Sequence, residues 1–256
     1  MSIEIYTSAY NLSNIGLDWT SALYYFCKFA DRVTIAFNGV DGLREVKDWQ
    51  YSWAPAKLKI VETNFSYDDP YFDGKIKDAA LQATTEDLLV LLDLDERIPV
   101  KMRKRWDWMG EWLLLNPNFD GCLIASVNLC GSIYTAKDVG RKWYLHKRGL
   151  KRGVPEFAKI PGGKIDITKS DTTELLKMDN TLANCAGISN DIEELRMGKT
   201  PYVFHLWAVD AEQRIRQNRF WKPTWENRAG KEVNDIILDV DEIKRIPVFE
   251  HELELW

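Results

Sequence analysis

No apolar run in this 256-residue chain approaches the roughly 20 residues that a membrane span needs, so no transmembrane segment is expected. The N-terminus, Met1-Ser2-Ile3-Glu4-Ile5, has no basic or apolar leader and passes straight into strand-like sequence, which makes the cytoplasm the expected location. Cys27, Cys122, Cys130 and Cys185 stand far apart without C-x-x-C spacing. That spacing argues against both a zinc site and a disulfide framework and leaves the four as small buried hydrophobes. A net charge of -5 with scattered basic residues offers nucleic acid no electrostatic footprint. Internal repeats and low-complexity segments are also missing.

What remains has globular proportions, with 45% hydrophobic and 29% charged residues, enough for one large domain or one domain and a tail. The eleven tryptophans are many for this length; core packing accounts for most, and an aromatic cleft that stacks sugars or bases is the other reading. Ile3 to Ala9 reads as a first strand, residues 17 to 30 as an amphipathic helix, and Arg32 to Phe37 as a second strand that stops at the turn Asn38-Gly39-Val40-Asp41-Gly42. A helix over residues 43 to 53, a strand over Leu58 to Glu62, a helix over 73 to 83 and a strand over Leu88 to Leu92 follow. This alternation predicts an α/β fold, a mostly parallel central sheet flanked by helices and wound by right-handed crossovers.

Leu88-Leu89-Val90-Leu91-Leu92-Asp93-Leu94-Asp95-Glu96 organises the chain. Five apolar residues empty into three carboxylates, as expected of a strand buried on both faces whose end opens into a cleft. In extended backbone Asp93 and Asp95 point the same way and form a hard oxygen site for Mg²⁺ or Mn²⁺, an ion able to clamp a diphosphate. Solvated acids at a strand end are the plain alternative.

Beyond Pro99, Met102, Trp106, Met109 and Leu113 define a helix over residues 100 to 115, with Lys101, Arg103, Lys104 and Arg105 on its first turns as a solvated face. Gly121 to Tyr134 and Lys142 to Lys147 read as an antiparallel excursion at the edge of the sheet. Residues 161 to 200 read as loop-rich, Pro201 to Trp207 as a short strand, and 210 to 221 as a helix carrying Arg214, Arg216 and Arg219.

This order of parts resembles a nucleotide-sugar-dependent glycosyltransferase of the GT-A fold, of the broad family-2 type. The matching segments are Thr7-Ser8-Ala9-Tyr10-Asn11, Asn38-Gly39-Val40-Asp41, Lys75-Ile76-Lys77-Asp78, Asp93-Leu94-Asp95-Glu96 and Phe204-His205-Leu206-Trp207 followed by the arginine-rich stretch. Of these, the D-x-D-E sequence after an aliphatic strand is the most specific. The resemblance covers residues 1 to 222 and implies a nucleotide-binding half over 1 to 98 and an acceptor half over 99 to 222, with 223 to 256 as a C-terminal tail. It implies donor contacts from Ser8, Tyr10, Asn38, Asp41, Lys75 (or Lys77), Asp78 and Asp93, and a Mn²⁺ or Mg²⁺ ion held by Asp95 and His205. The donor would be a nucleoside-diphosphate sugar and the acceptor a hydroxyl on a saccharide, glycan or lipid-linked sugar, with inversion at the anomeric carbon.

The chain departs from that pattern in places. Its second strand lacks an Asp-Asp-Gly-Ser turn, Asp78 stands where Asn is frequent, and no Glu-Asp pair marks the catalytic base. Asp166, Asp171, Asp191 and Glu156 are the candidate bases, with Asp191 preferred because Asn190-Asp191 precedes the His205 strand. His146, alternating with aromatics in Trp143-Tyr144-Leu145-His146, reads as structural.

Three other classes compete. A haloacid-dehalogenase-type phosphohydrolase would need Thr or Val where Arg97 stands. A nucleotidyltransferase would need a glycine-rich basic loop, but residues 10 to 16 hold one glycine and no lysine or arginine. A carbohydrate-binding or scaffold protein on a degenerate GT-A fold would not need Asp93 and Asp95.

Overall fold

The computed structural model describes residues 1–12, 18–69, 71–99, 102–130, 135–152, 175–179, 181–197, 199–209, 212, 214–216, 219, 222, 226, 246 and 247. Strands β1 (Ile3–Tyr10), β2 (Arg32–Asn38), β3 (Leu58–Thr63) and β4 (Leu88–Leu91) alternate with helices α1 (Trp19–Phe29), α2 (Leu43–Trp53) and α3 (Phe72–Gln82). The strands run parallel in the order β3-β2-β1-β4. The expected α/β alternation is therefore present, and most predicted boundaries fall within one or two residues of the observed ones.

Each face of this half-sheet is covered by helices, which is why the central strand β4 reads as a continuous apolar run, whereas the edge strand β3 is partly exposed. On one face Ile3, Ile5, Val33, Ile35, Leu88 and Val90 share a core with Leu23 and Phe26 of α1, Val46 of α2, and Trp106, Met109 and Leu113 of α4 (Arg103–Leu115). On the other, Tyr6, Ala36, Leu89 and Leu91 pack on Phe72, Ile76, Ala80 and Leu81 of α3. Burying a Leu side chain this completely contributes about 1.5–3 kcal/mol. At Gly110 α4 lies so close to β4 that a Cβ would come within 2.7 Å of Leu88 Cδ1. At the amino end of the sheet, the buried Glu4 carboxylate accepts from Thr34 Oγ1 (2.6 Å) and from the backbone N–H of Thr85 (2.7 Å) and Glu86 (3.0 Å), pinning the loop that enters β4.

Past β4 the order continues β4-β7-β6-β11-β5, with β5 (Glu96–Arg97), β6 (Gly121–Cys130), β7 (Thr135–Lys147) and β11 (Tyr202–Ala208). Here the structure corrects the sequence reading. The antiparallel excursion is not at the edge: β7 runs antiparallel to both neighbours between β4 and β6, because the open side of β4 offers it an unpaired ladder. The stretch read as loop holds short regular pieces among its described residues: β9 (Leu175–Leu176), paired with β8 (Lys151–Arg152); β10 (Cys185–Gly187), parallel to β6; and α5 (Ile192–Arg196). From the tail, β12 (Ile246–Pro247) pairs with the start of β7. Of the expected helix over 210 to 221, residues 212, 214–216 and 219 are described and helical. Among the described residues, no helix is long and apolar enough to cross a membrane.

Candidate active site

The β4 ladder ends at Leu91, and the chain then turns instead of staying extended. Glu96 N–H donates to Asp93 O (2.9 Å), and the Glu96 carboxylate accepts from Asp93 N–H (2.8 Å). The buried guanidinium of Arg97 donates from Nη1 to Leu94 O and Glu96 O (2.8 Å each), locking the turn from the other side of the strand. Asp93 and Asp95 therefore flank a turn rather than the extended backbone expected from the sequence. The turn sends one carboxylate to a pair of lysines and the other to a histidine.

Asp93 lies between Lys77 of α3 (3.1 Å to Oδ1) and Lys142 of β7 (2.5 Å to Oδ2). Lys77 also pairs with Asp73 one turn back (3.1 Å), and Lys142 with Glu96 (3.0 Å). Glu96 Oε1 also accepts from the Tyr144 hydroxyl (2.7 Å), which lies 3.0 Å from Ser126 Oγ. Ser126 leads at 3.5 Å to Asn128, whose Oδ1 accepts from Nδ1 of His205 (2.9 Å). His205 Nε2 faces Asp95 Oδ2 at 3.4 Å. The polar groups thus form one connected chain from Asp73 on α3 to Asp95, drawing on β7, β6 and β11. Strand pairing aligns it, since His205 stands opposite Asn128 on one side and Glu96 on the other, and Leu206 N–H donates to Asp95 O (2.7 Å).

Burial opposes the charged forms of Asp93, Asp95, Glu96, Lys142 and His205, and the neighbours decide the outcome. At Asp93 the ammonium groups of Lys142 and Lys77 outweigh burial and hold the carboxyl far below the usual range. At Asp95 burial is overcome by His205, so its carboxyl is also lowered. At Glu96 burial prevails and the carboxyl is raised despite Lys142. Lys142 is pulled well above an ordinary lysine by Asp93 and Glu96, and His205 is raised by Asp95, in both cases against burial. Asp95 also feels the charge of Arg214.

The remaining candidates are placed as follows. Ser8 is buried on β1. Tyr10, at the end of β1, meets Phe72 edge-on with centroids 5.3 Å apart. The Asn38 amide is tied to the next loop, donating to Phe65 O (3.0 Å) and accepting from Phe65 N–H (2.6 Å) and Thr63 Oγ1 (3.0 Å). Asp41 is exposed in the turn after β2. Lys75 pairs with Asp69 at the start of α3, so Lys77 rather than Lys75 reaches the acidic turn. Asp78 accepts from Arg152 N–H (2.8 Å) and Gln82 Nε2 (3.1 Å), fastening β8 to α3. Asp191 caps α5, with Oδ1 accepting from the N–H of Glu193 (2.9 Å) and Glu194 (3.1 Å); Oδ2 takes no part in the cap. Glu156, Asp166 and Asp171 lie outside the described residues.

Lys142, Tyr144 and Asn128 were missed by sequence reasoning. A lysine on an alternating strand reads as solvent-facing, and only the insertion of β7 beside β4 brings Lys142 to Asp93.

Among the described residues no three His, Cys, Asp or Glu side chains converge to hold an ion. Asp95 and His205 do provide an oxygen and an imidazole nitrogen facing each other, a donor set that suits Mn²⁺ or Mg²⁺ completed by substrate oxygens and water.

No family model matches the chain, and no curated protein matches it. Among solved structures it is similar to the mannosyltransferase PcManGT from Pyrobaculum calidifontis in complex with GDP-Man and Mn²⁺, at 14% identity over 91% of this chain and 65% of that one, with a TM-score of 0.45. It is similar also to residues 1–349 of S. aureus TarS in complex with UDP (10% identity, 92% and 68% covered, TM-score 0.42) and to HddC from Yersinia pseudotuberculosis (8%, 85% and 99%, TM-score 0.44). The chain spans 22% of the TarS chain in another of its structures, at 13% identity over 52% of this chain and a TM-score of 0.35.

Proposed function

We propose that the protein is a metal-dependent, inverting glycosyltransferase of the GT-A type, moving a sugar from a nucleoside-diphosphate sugar to a hydroxyl on a saccharide, glycan or lipid-linked acceptor. The observation that carries this reading is the Asp95–His205 pair at the carboxyl end of β4, continuous with Lys77 and Lys142 through the acidic turn. Open α/β sheets bind ligands at that end. A diphosphate leaves only when its growing charge is met, and preorganised positive groups in a water-poor site provide that most effectively.

Asp95 and His205 would hold Mn²⁺ or Mg²⁺, and the ion when bound would neutralise the departing diphosphate. Lys77 and Lys142 add fixed positive charge beside it, and Asp93 and Glu96 keep both ammonium groups in place. Ser8, Tyr10, Asn38 and Asp41, at or just beyond the carboxyl ends of β1 and β2, shape the donor's nucleoside end. With Lys75 and Asp78 at α3 they complete the proposed donor set. Asp191 is the proposed base: Oδ1 is committed to its cap, and Oδ2 would take the acceptor's hydroxyl proton.

The test is calorimetric titration with UDP, GDP and dTDP, with and without Mn²⁺, on the protein and on Asp95→Ala. One nucleotide should bind in a metal-dependent way, with affinity falling at least about a hundredfold in the folded variant. If none binds with Mn²⁺ present, the reading falls and a degenerate carbohydrate-binding scaffold replaces it.

A further inference from the structure

Asp138, Asn128 and His205 occupy paired register positions on the adjacent strands β7, β6 and β11, so their side chains form a transverse row on one face of the sheet. Asn128 Nδ2 donates to Asp138 Oδ1, and Asn128 Oδ1 lies 2.9 Å from His205 Nδ1. Polarity runs one way along this row. A carboxylate only accepts, so the amide nitrogen must face Asp138 and the amide oxygen must face the ring. That oxygen only accepts, so Nδ1 must carry hydrogen. In the neutral ring Nε2 is then a bare lone pair, aimed at Asp95 Oδ2 across 3.4 Å.

We propose that Asn128, anchored by Asp138, is a positioning residue that holds the proton of the neutral His205 ring on Nδ1 and so keeps Nε2 open as a donor atom toward Asp95. Two lone pairs facing each other across that gap repel unless a positive centre lies between them, either a proton on Nε2, which Asp95 favours, or a metal ion that takes that proton's place. With the amide reversed, Nδ1 would have to accept, hydrogen would move to Nε2, and His205 would close on Asp95 by a direct hydrogen bond. Outer partners of this kind set the tautomer and basicity of ligating histidines. The inference rests on the functional reading only in naming what Nε2 would bind.

The test separates the two. Long-range ¹H–¹⁵N correlation spectra of the metal-free protein, recorded where the ring is neutral, report which nitrogen bears hydrogen; the chain has three histidines, and His205→Gln assigns the signal. The native ring should carry hydrogen on Nδ1. Asn128→Leu should mix or invert the tautomers and lower Mn²⁺ affinity, read by electron paramagnetic resonance, by about ten- to a hundredfold. The double variant Asn128→Asp/Asp138→Asn reverses donor and acceptor between 128 and 138 while still presenting an acceptor to Nδ1, and it should restore both readouts. A native ring with hydrogen on Nε2, or an Nδ1–H tautomer that survives both Asn128→Leu and the single Asp138→Asn change, overturns the inference. An Nδ1–H ring in a protein that binds no Mn²⁺ with nucleotide present upholds it and removes the metal-dependent reading instead.

Discussion

Two histidines carried by strands of the same sheet, His146 buried and His205 half-buried, have opposite surroundings. His205 faces the Asp95 carboxylate and is held above its ordinary pKa, whereas His146 accepts a hydrogen bond from the Tyr6 hydroxyl at Nε2 (2.8 Å), uses Nδ1 on Lys147 O (2.8 Å) and lies near Arg152. Burial and that guanidinium push His146 down to about 3. Both of its ring nitrogens are consumed by the protein, so the Tyr6–His146–Arg152 cluster is closed and uncharged at the ring. Around His205 the Asp93 and Asp95 carboxylates and the Lys142 ammonium are held in their charged forms, and one ring nitrogen points at a carboxylate. Burial lowers both rings; the Asp95 carboxylate overrides it at His205, whereas the Arg152 guanidinium adds to it at His146.

Three measurements press on this contrast. The largest effect is expected at Lys142, whose ammonium group joins Asp93 to Glu96. Lys142→Met removes the ammonium partner of the buried Glu96 and leaves half-buried Asp93 with Lys77 alone, and it should cost about 3 kcal/mol in urea denaturation. A loss under 1 kcal/mol would mean that the cluster near His205 is as self-sufficient as the one near His146.

Next is the pH dependence set by His146. Its folded pKa of about 3 lies below the ordinary 6.5, so between those values the unfolded chain binds a proton that the folded chain refuses. This contribution is complete above about pH 6.5 and is lost as pH falls toward 3. From pH 6.5 to 5, above most of the carboxylate range, it amounts to about 2 kcal/mol. His146→Gln should flatten the stability profile in that window. An unchanged slope would show that the ring is not held neutral.

The smallest effect on stability is expected at Asp191. Asp191→Asn keeps the cap and should shift stability by less than about 0.5 kcal/mol, whereas Asp191→Ala should cost about 1 kcal/mol. If Asp191 is the base, sugar transfer collapses equally in both. Transfer that survives in Asp191→Asn reduces the residue to a cap.

The parallel half of the fold was legible because β1, β2 and β4 are buried on both faces and the helices alternate with them, patterns that the order of residues records. Leu43–Trp53 has the bounds its spacing implies, and β4 ends one residue short of its apolar run because Leu92 already leads into the turn. Placement of β7 was not legible. Its alternation fits an edge or a centre equally well, and the choice lies in the vacant side of β4, about sixty residues earlier in sequence. The site divides the same way. The acidic turn and His205 stand out as residue types, but the orientation of Asp93 depends on Lys142, and that of His205 on Asn128, partners supplied by strand register. Lys75 shows the same limit: its pairing with Asp69 leaves Lys77, two positions on, to meet the acidic turn.

Strand β11 inserts between β6 and β5, both made earlier on the ribosome. Until it emerges, β5 has no ladder and Asp95 faces no imidazole. At typical elongation rates that interval is roughly 5–20 s. A nascent chain would therefore carry Asp95 without its imidazole partner through that interval, and the two halves of the site would first meet when the late strand closes the gap.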